Sequence, residues 1–597
     1  MKTIACTMLL VLMGVGGSVA QTNSWISPTR GYWDDYTKWS LGVAPSTNGQ
    51  TLILITNDVD SEVTIDSITA DDYPTTMIIS DLVVSAPGVA TNTLELSEAG
   101  TNTPLQVLDT LIITNGGVLD LSDSALSVEG SSNAGFSVDG SVFIEGNSVV
   151  TITPSLYAGL DSNALGSITV TGGQVVLMSG GAIGVNSAGQ MTLCNAQLDA
   201  WNDVFVGSGE GSTGAFSING GTFIPTYGCR FIVGMETGAV GAVSVNSGTL
   251  MLTNSFLTLV GGDGSGRLNL LGGTTTFGPM EVGGDPGSEG TLTIAGGTNT
   301  LQAGLAVGAS LDSTGAVWLT GGQVVATNLA SLVSVWGNGT LTVSNGSWLG
   351  NSLLTGLNAS QLQIYTNPTS QQITIVPAAS SSGTVNLNGG TMTLYTKLVI
   401  GNCPSGGVGV VNVAGGSLYV TNAAHTGSIY LNSGELNLSG GLLQADILIM
   451  TNGCGSYAYT SGTLILSNLV DGIPTAWKVQ YGFNPLDPTL SGNDLDGTGF
   501  TVLQDYLAGL DPTNSASVFR ITSIQPSGND IGITWSVVTG KTYLVQMTTN
   551  LPASGFTNLG TVTVPASPVI TQTNYLDLGA VTNGPTRFYR IQLVTPP

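Results

Sequence analysis

A short segment ending in glycine returns at a nearly constant interval through most of this chain, and that interval limits the possible folds more than any other feature. Its corner glycines are Gly173, Gly221, Gly248, Gly273, Gly297, Gly322, Gly346, Gly390, Gly416, Gly441 and Gly462. Successive gaps are 48, 27, 25, 24, 25, 24, 44, 26, 25 and 21 residues, close to 25 or to twice that. A second mark keeps the same beat: Val206-Gly207, Val233-Gly234, Val260-Gly261, Val282-Gly283, Val307-Gly308 and Ile400-Gly401 each open a Gly/Ser-rich loop. Such a period belongs to architectures whose units cannot bury an apolar face alone and must stack on their neighbours.

Between the glycines, segments such as Gly290-Thr-Leu-Thr-Ile294 and Gly383-Thr-Val-Asn-Leu387 alternate apolar and polar residues with a period of two. They are rich in Val, Ile, Leu and Thr, which favours strand over helix. The expected fold is all-β: a right-handed parallel β-helix with about 25 residues and two corners per rung. Some fourteen rungs at the strand spacing would give a rod on the order of 65 Å long. A run of antiparallel sandwich domains would not hold one period through so many corners.

Residues 1–20 have the form of a secretory signal peptide: Lys2 near the start, an apolar stretch from Ile4 to Val15, and Ser18-Val19-Ala20 before Gln21. No later segment offers the roughly 18 unbroken apolar residues of a transmembrane helix. The expected location is therefore extracellular or at the cell surface. Asp and Glu number 37 against 11 Lys and Arg, for a formal net charge of −26. That balance excludes nucleic acid and anionic membrane surfaces as partners, because both attract basic patches. Cys194, Cys229, Cys403 and Cys454 remain after processing; their spacings miss a single rung, so free thiols are expected in place of disulfides.

Residues 21–66 form an opening, capping segment in which Trp25, Trp33 and Trp39 precede Gly42-Val43-Ala44-Pro45. The tryptophans suit either sugar stacking or an apolar plug over the first rung. With the Gly-Gly strand repeats of residues 67–466, this opening resembles bacterial secreted proteins carrying autotransporter-associated β-strand repeats. The resemblance implies a β-helix outside the cell, although the C-terminus lacks that family's translocator barrel.

No catalytic residues stand out. From residue 40 to 466 the cations are Arg230, Arg267, Lys397 and, when protonated, His425, too few to hold an anionic polysaccharide. A glycosidase needs two carboxylates flanking the bond to be cut, and a groove face of Thr, Ser, Asn and aliphatics is expected in their place. Glu210, Glu236, Asp263, Asp285 and Asp312 follow the Val-Gly marks and are expected to stack as an acidic ridge that either collects Ca²⁺ or is simply solvated.

Past residue 466 the period stops. In the linker, residues 467–515, the run Asp494-Leu-Asp496-Gly-Thr498-Gly499-Phe500 through Asp505 matches the oxygen spacing of an EF-hand loop. Asp494, Asp496 and Thr498 would supply side-chain oxygens, Phe500 a carbonyl and Asp505 the closing carboxylate, with Gly499 at the sharp turn. A short helix, Leu503 to Ala508, should follow and stop at Gly509. The loop resembles the calcium loops of dockerin-like and thrombospondin-type-3-like linkers, which implies Ca²⁺ as the ligand. Residues 516–597 carry short alternating strands joined by Gly/Pro/Asn turns, the pattern of a small β-sandwich. This last part resembles C-terminal sandwich modules that end in a Phe-Tyr-Arg strand, here Phe588-Tyr589-Arg590. Its cations Arg520, Lys541, Arg587 and Arg590 suit either a binding surface or scattered solubilising charge.

The function expected from these features is that of a noncatalytic structural or adhesive solenoid, with extracellular glycans or the cell-envelope surface as partners. The alternative is a carbohydrate-active β-helix enzyme, or a glycan-binding protein, directed at neutral polysaccharide.

Overall fold

A computed structural model describes residues 21–46, 51–73, 76–130, 135–225, 228–253, 256–356, 381–402, 407–450, 455–466, 469–484, 487, 489–551, 555–567, 569–582 and 586–594. The expected signal peptide, Cys403 and Cys454 lie outside these residues. Strand accounts for 59% of the structure against 5% helix, so the chain is all-β. It divides into two compact units, Met1–Gln444 with Leu448–Thr463, and Ala445–Ile447 with Leu464–Pro597.

The first unit is a parallel β-solenoid of about 15 turns, roughly 25 residues apart. One turn shows how it is built. Glu289–Ile294 forms its first strand, Thr298–Leu301 its second and Leu305–Val307 its third. Each pairs in parallel with the equivalent strand of the next turn: Leu292 with Val317, Thr298 with Gln323, and Val307 with Val333. Each turn thus has three strands and three corners, where the repeat had suggested two. The third strand is only three residues long, too short for alternation to declare it.

Alternation puts Leu292, Ile294, Leu301, Leu305 and Val307 inside, each 3% exposed or less. Burying such a side chain contributes about 1.5 to 3 kcal/mol, so every turn adds its own share of core. At the first corner Asn299 is also buried; its amide donates to the carbonyls of Gly296 (3.1 Å) and Gln323 (3.0 Å), and its Oδ1 accepts from Thr275 Oγ1 (2.8 Å). One inward polar side chain thereby satisfies carbonyls that the bend takes out of the ladder.

Glycine is required at two kinds of position. Gly283 and its equivalents turn the third corner with positive φ, 69° at Gly283. A separate column occupies the second residue of the first strand, where Gly266, Gly290, Gly315, Gly339 and Gly383 are successive register partners. A Cβ on Gly290 would lie 2.2 Å from both Gly283 N and Val260 O, which are joined by a 2.8 Å hydrogen bond between turns. This column fills a place where two backbones meet.

The solenoid begins earlier than its glycine signal. Gln21–Ser24 pairs with Thr51–Ile55, and Gly31–Tyr32 with Ser61–Asp66, as the first turns of the ladder. In early turns the first corner is taken with positive φ by Glu98 (53°) and Asp123 (47°), and Asn195 (52°) stands at the turn missing from the 48-residue gap. Asn and Asp tolerate this conformation better than most residues, so the Asp123 and Asn195 corners leave no glycine to be counted, whereas the Glu98 corner still carries Gly100 at φ 88°. The 44-residue gap is not two turns. Ser347 pairs directly with Thr391, so the two glycines are one turn apart.

Trp25, Trp33 and Trp39 are 2%, 0% and 1% exposed and meet edge to face at 5.1 and 5.0 Å. Trp33 Nε1 donates to Pro45 O, and Trp39 Nε1 to Trp33 O (2.8 Å). These rings are a plug over the first turn, with no face open to a sugar.

In the second unit, the helix Val502–Ala508 is set by a capping box between Thr501 and Gln504 and stopped by Gly509 at φ 78°. It packs Val502 with Ile473 and Leu490. Lys478, fully buried, bonds to Asp471 Oδ1 (2.6 Å) and to Asp487 O (2.7 Å), tying two loops to the helix Thr475–Gln480. Further on are two three-stranded antiparallel sheets. Ile521–Ser527, Asp530–Ser536 and Gln572–Asp577 form one; Thr557–Thr563, Thr542–Thr548 and Phe588–Val594 form the other. Ile533 and Trp535 of one sheet share a core with Tyr543 and Val545 of the other.

Candidate functional site

Residues 494–505 form a tight loop leading into the helix. Asp494 accepts the N–H groups of Gly497 and Gly499 (both 2.9 Å), and Asp496 Oδ1 accepts the hydroxyl (2.8 Å) and N–H (3.2 Å) of Thr498. Gly497 (73°) and Gly499 (86°) both have positive φ, which lets the chain double back. Phe500 N–H leans on Thr498 Oγ1 at 3.4 Å. Asp505, in the first turn of the helix, is buried. Two carboxylate oxygens here, Asp496 Oδ2 and Asp505 Oδ1, are buried with no hydrogen-bond partner. Burial first, then the charges of Asp496, Asp494 and Asp511, push the Asp505 carboxyl up to about 6. An all-oxygen donor set with unpaired buried lone pairs suits a hard cation. In this conformation no three His, Cys, Asp or Glu side chains among the described residues draw together into a metal-holding group.

The acidic loops do not form one file. Glu236, Asp263 and Asp285 each stand two residues after the positive-φ glycines Gly234, Gly261 and Gly283, whereas Glu210 stands three after Gly207 and Asp312 four after Gly308. Differences in loop length shift the register that equal spacing had suggested. Burial and then Asp263 raise the Asp285 carboxyl, and Asp285 in turn adds to the burial that raises Glu281.

The outer face of the first strands is a continuous column. From Thr169 it runs Thr192, Ser217, Ser244, Asn269, Thr293, Trp318, Thr342, Asn386, Asn412 and Asn437. Its asparagines bond along the axis, Asn412 to Asn386 at 2.8 Å and Asn437 to Asn412 at 2.9 Å. The N-terminal turns depart from the expected Thr/Ser/Asn surface, since Glu62, Glu95, Asp120 and Glu145 face outward there. Arg30 bridges Glu62 (2.9 Å) and Glu95 (3.2 Å). Burial and Glu95 raise the Glu62 carboxyl; burial, Glu145 and Glu95 raise that of Asp120.

The outer face of the third strands escaped the sequence reading. Tyr157, Ala182, Phe205, Ile232 and Leu259 are successive partners pointing outward, and a trough of about 230 Å³ opens between Tyr157 and Phe205. Its signal is the middle residue of the three-residue run before each third-corner glycine, as in Val204-Phe205-Val206-Gly207, which hydropathy alone assigns to the core.

Remaining candidates are settled by their contacts. Cys194 is a half-buried free thiol, and Cys229 is buried with its Sγ 3.8 Å from Ala200 O. His425 is exposed in a turn at φ 54°. Arg587 bonds to Asp577 (2.6 Å), which also accepts the Tyr589 hydroxyl (2.8 Å); Arg590 bonds to Gln546 (2.7 Å) and covers the Phe556 ring at 4.1 Å. Lys541 donates to Leu507 O (2.8 Å). The Phe-Tyr-Arg strand thus clamps its own module, and three of the four cations have structural partners. No helix among the described residues is long and apolar enough to cross a membrane. No family model, curated protein or solved structure matches the chain.

Proposed function

We propose that this chain is a noncatalytic structural or adhesive solenoid acting outside the cell, of the kind found among secreted proteins with autotransporter-associated β-strand repeats. The carrying observation is the outward column of Thr, Ser and Asn side chains, interrupted by Trp318 and hydrogen-bonded along the axis through Asn386, Asn412 and Asn437. A stiff, uncharged, regularly spaced polar face is suited to spanning distance and to repeated weak contact with a glycan or envelope surface. The loop Asp494, Asp496, Thr498, Phe500 and Asp505 takes up Ca²⁺ in this proposal; the unpaired oxygens of Asp496 and Asp505 support it, and the ion would relieve the charge crowded against the helix.

The test places residues 21–597 on immobilised neutral polysaccharides and envelope fractions, measuring retention and released reducing ends together. Retention without release is expected. Release that Glu95→Gln abolishes would establish the second reading, a carbohydrate-active enzyme, which the raised carboxyls of Glu62 and Asp120 favour. For calcium, melting is compared with and without chelator. If the Asp494→Ala, Asp496→Ala pair shifts as the native chain does, the ion is removed from the account.

A further inference from the structure

We infer that the trough between Tyr157 and Phe205 is a binding slot for a single neutral pyranose ring, such as the end of an uncharged glycan. This deepens the adhesive reading and rests on it.

Tyr157 and Phe205 stand in one outward column, two turns apart, with only Ala182 between them. Two strand spacings separate their backbones by about 9.5 Å. Ala182 is buried and gives the trough a floor with almost no side chain, and the Gly181 backbone lines it too. The trough is open to solvent, and its volume, about 230 Å³, is below the roughly 300 to 1,000 Å³ usual for larger small-molecule ligands, so it suits one ring. Aromatic side chains at both ends suit a puckered ring that presents C–H groups to them.

The rim supplies the polar half of the match. Arg230 Nε (2.8 Å) and Nη2 (2.6 Å) both donate to Asp203 Oδ2, and Arg230 N–H donates to Oδ1 (2.7 Å). The guanidinium lies 5.8 Å from the Phe205 ring. Asn202, Ser155 and Ser179 line the trough as well, on the same N-terminal side of the third strands. A paired carboxylate and guanidinium, an amide and two hydroxyls offer donors and acceptors to hydroxyl groups while leaving the slot without net charge. On a chain of charge −26 that arrangement selects against uronates. Because the walls ride on paired strands, little ordering accompanies binding.

The experiment uses residues 21–597 and saturation-transfer NMR with methyl glucoside, methyl galactoside and methyl mannoside, the matching uronates, and benzyl alcohol. At least one neutral hexoside is expected to bind, the uronates more weakly, and benzyl alcohol not measurably. Ala182→Leu fills the slot from an outward position and should abolish binding; Phe205→Ala removes one wall and should weaken it at least fivefold. Absence of binding by every hexoside, survival of binding in both variants, or preference for benzyl alcohol would each overturn the slot. Polysaccharide cleavage in the preceding assay, with hexoside binding intact here, would refute the noncatalytic reading and leave the slot standing.

Discussion

The glycine column gives the sharpest test of how the turns are held together. In Gly290→Ala the new methyl group would sit 2.2 Å from Gly283 N and from Val260 O, and both are backbone atoms that cannot rotate aside. Ordinary contact is about 3.5 Å, so adjacent turns would have to part locally by more than about 1 Å. The 2.8 Å bond from Gly283 N to Val260 O lies across that gap. Overpacking costs about 1 to 3 kcal/mol and a lost hydrogen bond about 0.5 to 1.5, so a total near 2 to 4 kcal/mol is expected. Gly287→Ala is the control, three residues away. Its Cβ meets nothing within 4 Å, but its φ of 77° adds roughly 1 to 2 kcal/mol of backbone strain. Urea unfolding, with hydrogen exchange followed on peptides covering 282–294, measures both. Exchange should accelerate in Gly290→Ala on both turns that share the bond, and in Gly287→Ala only at its own corner. If Gly290→Ala costs less than the control, the close-approach account of the column is wrong.

Three further outcomes follow from particular contacts. Trp33→Ala should cost about 3 to 5 kcal/mol and loosen the first turns, seen as faster exchange over residues 21–66 with later turns unchanged. Lys478→Ala leaves the Asp471 carboxylate uncompensated and should cost about 3 to 5 kcal/mol, whereas the double change Lys478→Met, Asp471→Asn, which suits the φ of 55° and keeps an acceptor for Ser491 N–H, should recover most of that loss in melting point. Asp505 carries a carboxyl raised from 3.8 to about 6, so the folded state holds its proton more tightly than the unfolded chain. Its contribution to stability is full below 3.8 and is lost as pH rises through about 6. Melting of the second unit in chelator should therefore fall across that range, and Asp505→Asn should flatten the fall.

Class and period were legible from residues alone, because a strand advertises itself by alternation and a corner by glycine. The same rule explains what was hidden. Asp123 and Asn195 bend the chain as glycine does, so their two turns kept no glycine mark. The helix before Gly509 was readable from its stop signal, and began one residue sooner because Thr501 and Gln504 cap it.

What the amino acids determined by themselves was that the chain must stack: alternating Val, Leu, Ile and Thr between glycines leaves each segment an apolar face it cannot bury alone. Only the tertiary structure decided the number of corners, the inward place of the tryptophans and the outward place of Tyr157 and Phe205. A three-residue strand has no period of its own, and which side of it faces the core is set by the turns above and below.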